Sequence, residues 1–389
     1  MARLILFGLV SCYLCDCVRP FRCAVPSARP ITSRRHRLNL PKEASRSLIS
    51  NNAPLWSSTT PFDADDAEFE VSNREKAGFL GQQKRAKVGI TFALWYILSI
   101  GYNICSKKAL NLAPNLAWTA AFFQMSLGTL YVGPLWLSGL RARPNLTFDE
   151  VARLLPVAML HCLVHVGGVI SMGAGAVSFT YIVKASEPAV SAALSALATK
   201  TFLPLPVYLT LIPVMGGVAL SSVSELTFSW KSFNYAMMSN VASASRGLVG
   251  KQTLNKKLGK NMNAMNTYAI LTLLSSAMLL PVALFLEGPQ ILNAFGDLQR
   301  AGKFSEYIAQ TLMAALFYFT YNECAFVCLD NVSPVSHALG NTLKRVFIIV
   351  ASIIVFGNKM TTQGIVGSVM AVAGVLLYSL AKTKYMPKK

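Results

Sequence analysis

Ten stretches of roughly 20 predominantly apolar residues, joined by short connectors, leave this chain few ways to fold. They read as 88–106, 116–139, 153–174, 176–198, 204–223, 231–252, 264–286, 306–328, 332–356 and 362–382. A run of that length lets an α-helix cross a hydrocarbon core of about 30 Å. Inside hydrocarbon every backbone N–H and C=O has to be satisfied within the segment, which favours helices. The spacing therefore predicts an all-α integral membrane protein with ten transmembrane helices. Composition agrees: 53% of residues are hydrophobic and 14% charged, outside the range of a soluble globular domain. The connectors leave no room for a soluble domain, so any function has to be performed inside the bundle.

The leader is of another kind. Residues 1–23 open with Met-Ala-Arg, continue through LILFGLVSCYL and end near small residues, the plan of a secretory signal peptide. Residues 24–62 are rich in Ser and Arg, with Glu43 as the only acid, which resembles an organelle transit peptide. The two in tandem resemble the bipartite leader of proteins sent to a complex plastid of an alga. Residues 63–86 read as a disordered spacer, acidic and then basic. The transporter-like body is expected over 87–384. Of eight cysteines, four lie in the leader and four in apolar spans, and neither set has the spacing of a metal site.

The formal net charge is +19, and from residue 86 onward 23 Lys and Arg stand against 9 Asp and Glu. Two sources fit that excess: the surplus of basic residues that multispanning proteins keep on one side, and a pathway for anions. The basic residues are scattered over short loops and within spans, which argues against nucleic acid. Arg141, Arg143, Lys200, Lys251, Lys256, Lys257 and Lys260 fall in alternate connectors with the C-terminal lysines, so both termini are expected on the positive face.

An internal echo points to two halves. VSFTYIVKASEP (177–188) precedes GGVAL (216–220), and VSPVSHALGNTLKR (332–345) precedes AGVLL (373–377) at a similar distance. Five spans per half is an odd number, so halves at about 87–224 and 230–384 would insert with opposite orientation. Inverted repeats of this kind bind substrate near the midplane where the halves meet. The echo aligns the fourth span with the ninth, and each carries cations at depth: Lys184 in one, Lys344 and Arg345 in the other.

A cation in hydrocarbon costs several kcal/mol. Lys344 and Arg345 have no acid within reach along their helix, so their expected partner is an anion from outside the protein; snorkelling to an interface is the competing reading. Adjacent helix positions lie about 100° apart, which makes Lys344 the more central ligand and Arg345 one that reaches in from the side. Three cations facing one cavity match a phosphate dianion, Arg offering a planar fork and Lys a point charge. For Lys184 the alternative is an ion pair with Glu187, one turn later. Arg246 in SNVASASRGLVG also needs an anionic partner. His165, Tyr181, Tyr321, Asn322 and Glu323 either line a cavity or hydrogen-bond between helices. Pro188 bends the fourth span just after Lys184.

Residues 88–382 resemble the plastid phosphate translocators, the triose-phosphate/phosphate antiporters of the drug/metabolite transporter superfamily. The matching stretches are VSFTYIVKASEP at 177–188, YNECAFVCLDNVSPVSHALGNTLKRVFIIVASII at 321–354, YNICSKKALN at 102–111 and SRGLVGK at 245–251. The resemblance implies ten helices in two inverted five-helix repeats. It also implies exchange of inorganic phosphate, one for one, with a phosphorylated C3, C5 or C6 compound, without a cofactor. By position, Lys184, Lys344 and Arg345 look like the family's phosphate ligands. His165 and Tyr321 resemble residues at the carbon end of the substrate, and Arg246 fits a further basic residue. Tyr181 stands where the motif usually has His, and Gly168 where a Thr or Ser often supplies a hydroxyl. His165 is similar to the triose-phosphate branch, SEPAV to the hexose-phosphate branch.

The leading expectation is a plastid envelope antiporter of phosphate against triose phosphate or 3-phosphoglycerate. Its alternatives are a phosphoenolpyruvate, pentose-phosphate or hexose-phosphate exchanger of the same fold, a nucleotide-sugar carrier of the secretory pathway, and a non-transporting receptor. Against an enzyme stands the lack of a metal-ligand cluster or of a nucleophile with a base at recognisable spacing.

Overall fold

The computed structural model describes residues 64–200, 202–226, 228–254, 258–332 and 334–386. The leader segments expected at 1–23 and 24–62 lie outside them. The described residues form thirteen helices: α1 (Ala64–Leu112), α2 (Ala117–Leu130), α3 (Val132–Leu137), α4 (Phe148–Ala174), α5 (Val177–Lys184), α6 (Glu187–Thr199), α7 (Leu205–Leu209), α8 (Leu211–Val223), α9 (Trp230–Leu254), α10 (Ala264–Arg300), α11 (Phe304–Asn331), α12 (Pro334–Phe356) and α13 (Thr362–Tyr385). The chain separates into a smaller unit over 19–86 and a larger one holding everything from Lys87 on. In the smaller unit, residues 64–86, expected as a spacer, are helical. Their Ala, Glu, Lys and Gln are good helix formers.

Among the described residues seven helical stretches are long and apolar enough to cross a membrane: Ala86–Leu112, Phe148–Ala174, Leu205–Val223, Ala264–Arg300, Phe304–Leu329, Ser336–Phe356 and Thr362–Tyr385. The other three expected spans depart for visible reasons. The second is split into α2 and α3 near Pro134, and the fourth into α5 and α6. The sixth is α9, a continuous helix whose Asn234, Ser239, Asn240, Ser243 and Arg246 make it polar. Large apolar side chains such as Phe285 (85% exposed) and Ile354 (75%) stay on the outer surface, where a hydrocarbon solvent suits them.

The break in the fourth span follows from one residue. Proline has no N–H, so the carbonyl of Lys184, four residues before Pro188, cannot receive its helical hydrogen bond. The chain turns through Ala185 and Ser186 and restarts with Pro188 in the first turn of α6, where its missing donor costs nothing. The Val183 carbonyl accepts from Ser186 Oγ (2.8 Å) and from Asn240 Nδ2 of α9 (3.0 Å).

Small residues bring helices into backbone contact. Gly217 of α8 lies against the backbone of Gly367 and Ala371 of α13, and Ser221 Oγ donates to the Gly364 carbonyl (3.1 Å). The helices that carry GGVAL and AGVLL are thus packed against each other. The other echoing pair also meets, since α12 packs on α5. Around the middle of the bundle Tyr102, Met125, Val166, Ile170 and Tyr318 form the principal core.

Candidate functional site

A cavity of about 110 Å³ lies among α1, α4, α5, α9 and α11. Four helices carry its polar wall: His161 and His165 from α4, Tyr181 and Lys184 from α5, Arg246 from α9, Tyr321 and Asn322 from α11. Each side chain is presented by helix periodicity. On α4, residues 161, 165, 168 and 172 recur at steps of three and four, which is one face of an α-helix. On α9, Ser239 and Arg246 are seven residues apart, again one face, about 10 Å apart along the axis.

Lys184 donates from Nζ to Ser239 Oγ (2.8 Å), and that hydroxyl donates to the Val164 carbonyl (2.8 Å). A helix carbonyl thereby fixes a serine, and the serine fixes the ammonium. At the other end of the wall Arg246 Nη1 is 2.6 Å from His161 Nδ1. His165 lies against the Tyr318 ring, with centroids 4.1 Å apart, and its buried Nε2 has no hydrogen-bond partner among the described residues. Tyr102 packs 5.4 Å from Tyr321 and 5.5 Å from Tyr318, centroid to centroid. Its hydroxyl donates to Gln124 Oε1 (3.2 Å), and Gln124 donates to Ser106 Oγ (2.9 Å). Gly168 faces Lys184, and a Cβ there would stand in ordinary van der Waals contact, 3.6 Å from Nζ.

Lys344 and Arg345 lie behind this wall and point apart. The Lys344 ammonium sits over the rings of Trp95 (4.8 Å) and Tyr321 (5.4 Å), a cation–π contact on two faces. Arg345, 8% exposed, donates from Nη1 to the Lys184 carbonyl (2.7 Å), the one that Pro188 leaves without a helical donor, and pairs through Nη2 with Glu187 Oε2 (2.5 Å). Ser243 Oγ donates to the other Glu187 oxygen (2.5 Å).

This corrects the expectation that the counter-charge of Arg345 comes from outside the protein. The acid is Glu187, reached across the α5/α6 break and not along α12. It also leaves Glu187 engaged by Arg345 and Ser243, while Lys184 bonds to Ser239.

Of the residues singled out in the sequence, Lys184, Arg246, His165, Tyr181 and Tyr321 meet at the cavity. Lys344 touches it through Tyr321, and Arg345 belongs to the helix break. Glu323, fully buried, is bound to Arg141 (2.7 Å). Sequence reasoning missed His161 and Ser239. The signal for His161 was its position, one turn before His165 on the same face; Ser239 offered none, being one of many serines in α9. Among the described residues no group of three or more His, Cys, Asp or Glu side chains could hold a metal.

Two basic side chains, Lys184 and Arg246, line the cavity, a third, Lys344, lies behind Tyr321, and Arg345 is paired with Glu187, so the site is cationic. It holds donors, aromatic faces and a neutral buried histidine nitrogen. Such an arrangement attracts and orients a small anion, and it lacks an activated nucleophile to transform one.

The family profile described as the Triose-phosphate Transporter family matches residues 86–379. The chain is similar to the chloroplastic triose phosphate/phosphate translocator of Brassica oleracea var. botrytis, 37% identical over 331 residues, 85% of this chain and 80% of that protein. It is similar to the same translocator of Spinacia oleracea, 37% identical over 319 residues, 82% of this chain and 78% of that one. Glucose-6-phosphate/phosphate translocator 1, chloroplastic, of Arabidopsis thaliana is 36% identical over 318 residues, 82% of this chain and 79% of the other.

Proposed function

The chain belongs to the Triose-phosphate Transporter family, and from that premise we propose that it exchanges inorganic phosphate for triose phosphate or 3-phosphoglycerate across a plastid envelope membrane. It is a transporter and not an enzyme. The observation that carries the reading is the cationic cavity, where Lys184 and Arg246 stand in the wall and Lys344 rests on Tyr321 of that wall.

In this reading Lys184 and Lys344 hold the phosphate, with Arg345 setting the position of the Lys184 backbone and reaching in from the side. His165, Tyr181 and Tyr321 contact the carbon end, and Arg246 supplies a second positive group. The unpartnered Nε2 of His165 is a natural mate for a substrate oxygen. Exchange is obligatory for an electrostatic reason. With the cavity empty its cations repel one another, and closing a dry gate over them is costly; a bound dianion removes that cost and lets either gate close. Only the loaded carrier crosses.

The architecture proposed for this cycle is ten membrane-spanning segments in two inverted halves, about 87–224 and 230–384, inserted in a lipid bilayer. Support comes from the packing of α5 on α12 and of α8 on α13, the segments that echo in sequence. The cross-contacts agree: α2 packs on α11 and α10 on α4, pairings that an exchange of halves would interchange. Residues 1–62 serve as signal and transit segments, which suits a complex plastid, and 63–86 link them to the transporter. The relatives include glucose-6-phosphate/phosphate translocators, which makes exchange of phosphate for a hexose phosphate the second reading.

Counter-exchange in proteoliposomes tests this directly. Vesicles loaded with phosphate, dihydroxyacetone phosphate, 3-phosphoglycerate, phosphoenolpyruvate or glucose 6-phosphate should each take up labelled external phosphate, at rates that rank the internal substrates. Equal phosphate efflux with no counter-substrate outside refutes obligatory exchange. Inhibition by a nucleoside monophosphate would point to the nucleotide-sugar class.

A further inference from the structure

Arg246 and His161 meet at 2.6 Å between Nη1 and Nδ1. An arginine has only donors, so His161 Nδ1 has to accept. The neutral imidazole then carries its proton on Nε2, which faces Thr272 Oγ1 at 3.4 Å. Thr272 in turn spends its own proton on the Tyr268 carbonyl at 2.9 Å. Every donor in this row runs the same way, from Arg246 through His161 and Thr272 to a backbone carbonyl of α10.

The row starts at the cavity and ends in the protein. His161 is 6% exposed and Thr272 fully buried, and the His161 ring is braced edge-on by Tyr268 with centroids 5.8 Å apart. One Arg246 nitrogen is thus anchored on a neutral acceptor, and no carboxylate competes there for its charge. Arg345, by contrast, is neutralised by Glu187. Arg246 keeps a full positive charge and a fixed guanidinium plane, with its remaining N–H groups available to the cavity.

We infer that His161 is a positioning residue which, backed by Thr272, orients Arg246 toward the substrate without neutralising it, and so sets affinity for substrates with a second anionic group. This rests on the exchange reading above. A phosphate alone is served by Lys184 and Lys344, whereas a phosphorylated carboxylic acid also presents a carboxylate, which an oriented, uncompensated arginine fits. Removing the acceptor frees the guanidinium to turn, and the loss falls on the doubly anionic substrate.

Three variants in proteoliposomes test it: His161→Leu, which removes the acceptor, His161→Asn, whose amide oxygen stands near the place of Nδ1, and Thr272→Val. Apparent KM is measured for phosphate, dihydroxyacetone phosphate and 3-phosphoglycerate, beside the thermal transition of each purified protein. Expected for His161→Leu is a KM for 3-phosphoglycerate raised about tenfold or more, with KM for phosphate changed by less than about threefold. His161→Asn should recover most of that loss, and Thr272→Val should show the same pattern in weaker form. Equal losses on all three substrates, or failure of Asn to recover what Leu loses while both remain folded, would overturn the inference. Wild-type phosphate/phosphate exchange in the same vesicles keeps it separate from the exchange reading: if that homoexchange is absent, the function and not the role of His161 has failed.

Discussion

Lys184 on α5 and Lys344 on α12 lie on helices that echo each other in sequence and pack together, yet they are held in different ways. Lys184 is fixed by a hydroxyl, Ser239, which is itself fixed by the Val164 carbonyl. Lys344 rests on two aromatic faces, Trp95 and Tyr321. A hydrogen bond uses one ammonium proton and sets a direction. A cation–π contact uses none of the three and tolerates rotation. The first lysine is therefore a preset anchor, and the second can swing onto an arriving anion while remaining attracted to the rings when it leaves. A carrier that must take and release its cargo on each half-cycle has use for one of each.

The largest expected effect lies just beside this pair. Arg345→Leu leaves the partly buried Glu187 without its counter-charge and should cost about 1–3 kcal/mol of stability, read as a lowered thermal transition. The double variant Arg345→Leu with Glu187→Leu should regain much of it. If the double variant also regains exchange, Arg345 serves the fold alone and the asymmetry reduces to the two lysines. Next come Lys184→Ala and Lys344→Ala, each expected to slow exchange by about 100-fold or more with the fold intact; retained exchange in either would remove that lysine from the site.

The contrast itself is sharpened by two milder changes. Trp95→Leu removes one ring face from Lys344 and should raise the apparent KM for phosphate about tenfold, while Trp95→Phe should have a smaller effect. Ser239→Ala removes the anchor of Lys184, and a hydrogen bond between membrane helices is worth about 0.6 kcal/mol, so a change of about threefold is expected. If Ser239→Ala proves costlier than Trp95→Leu, the assignment of anchor and swinging arm is reversed.

The apolar segments and the buried cations were legible in the sequence because each is a local property: a run of about 20 apolar residues, or a charge inside one. The family and its exchange chemistry were legible from long matching stretches around Lys184, Lys344 and Arg345. The partner of Arg345 was not, because Glu187 lies 158 residues away and meets it only through a bend that Pro188 creates. The bend itself was foreseen from Pro188, but not what its vacant carbonyl would attract. Ser239 and His161 escaped for related reasons. A serine in a serine-rich helix and a histidine on an apolar face gain meaning only when α9 and α10 are laid beside them.

The guanidinium of Arg345 grips the chain at the point where the fourth span is interrupted, holding the Lys184 carbonyl with one nitrogen and Glu187 with another. In the proposed cycle of two rocking halves this two-pronged polar clasp between α12 and the α5/α6 break would hold their meeting point together, so that the spacing of Lys184 and Lys344, and with it the room for cargo, would turn on a single arginine.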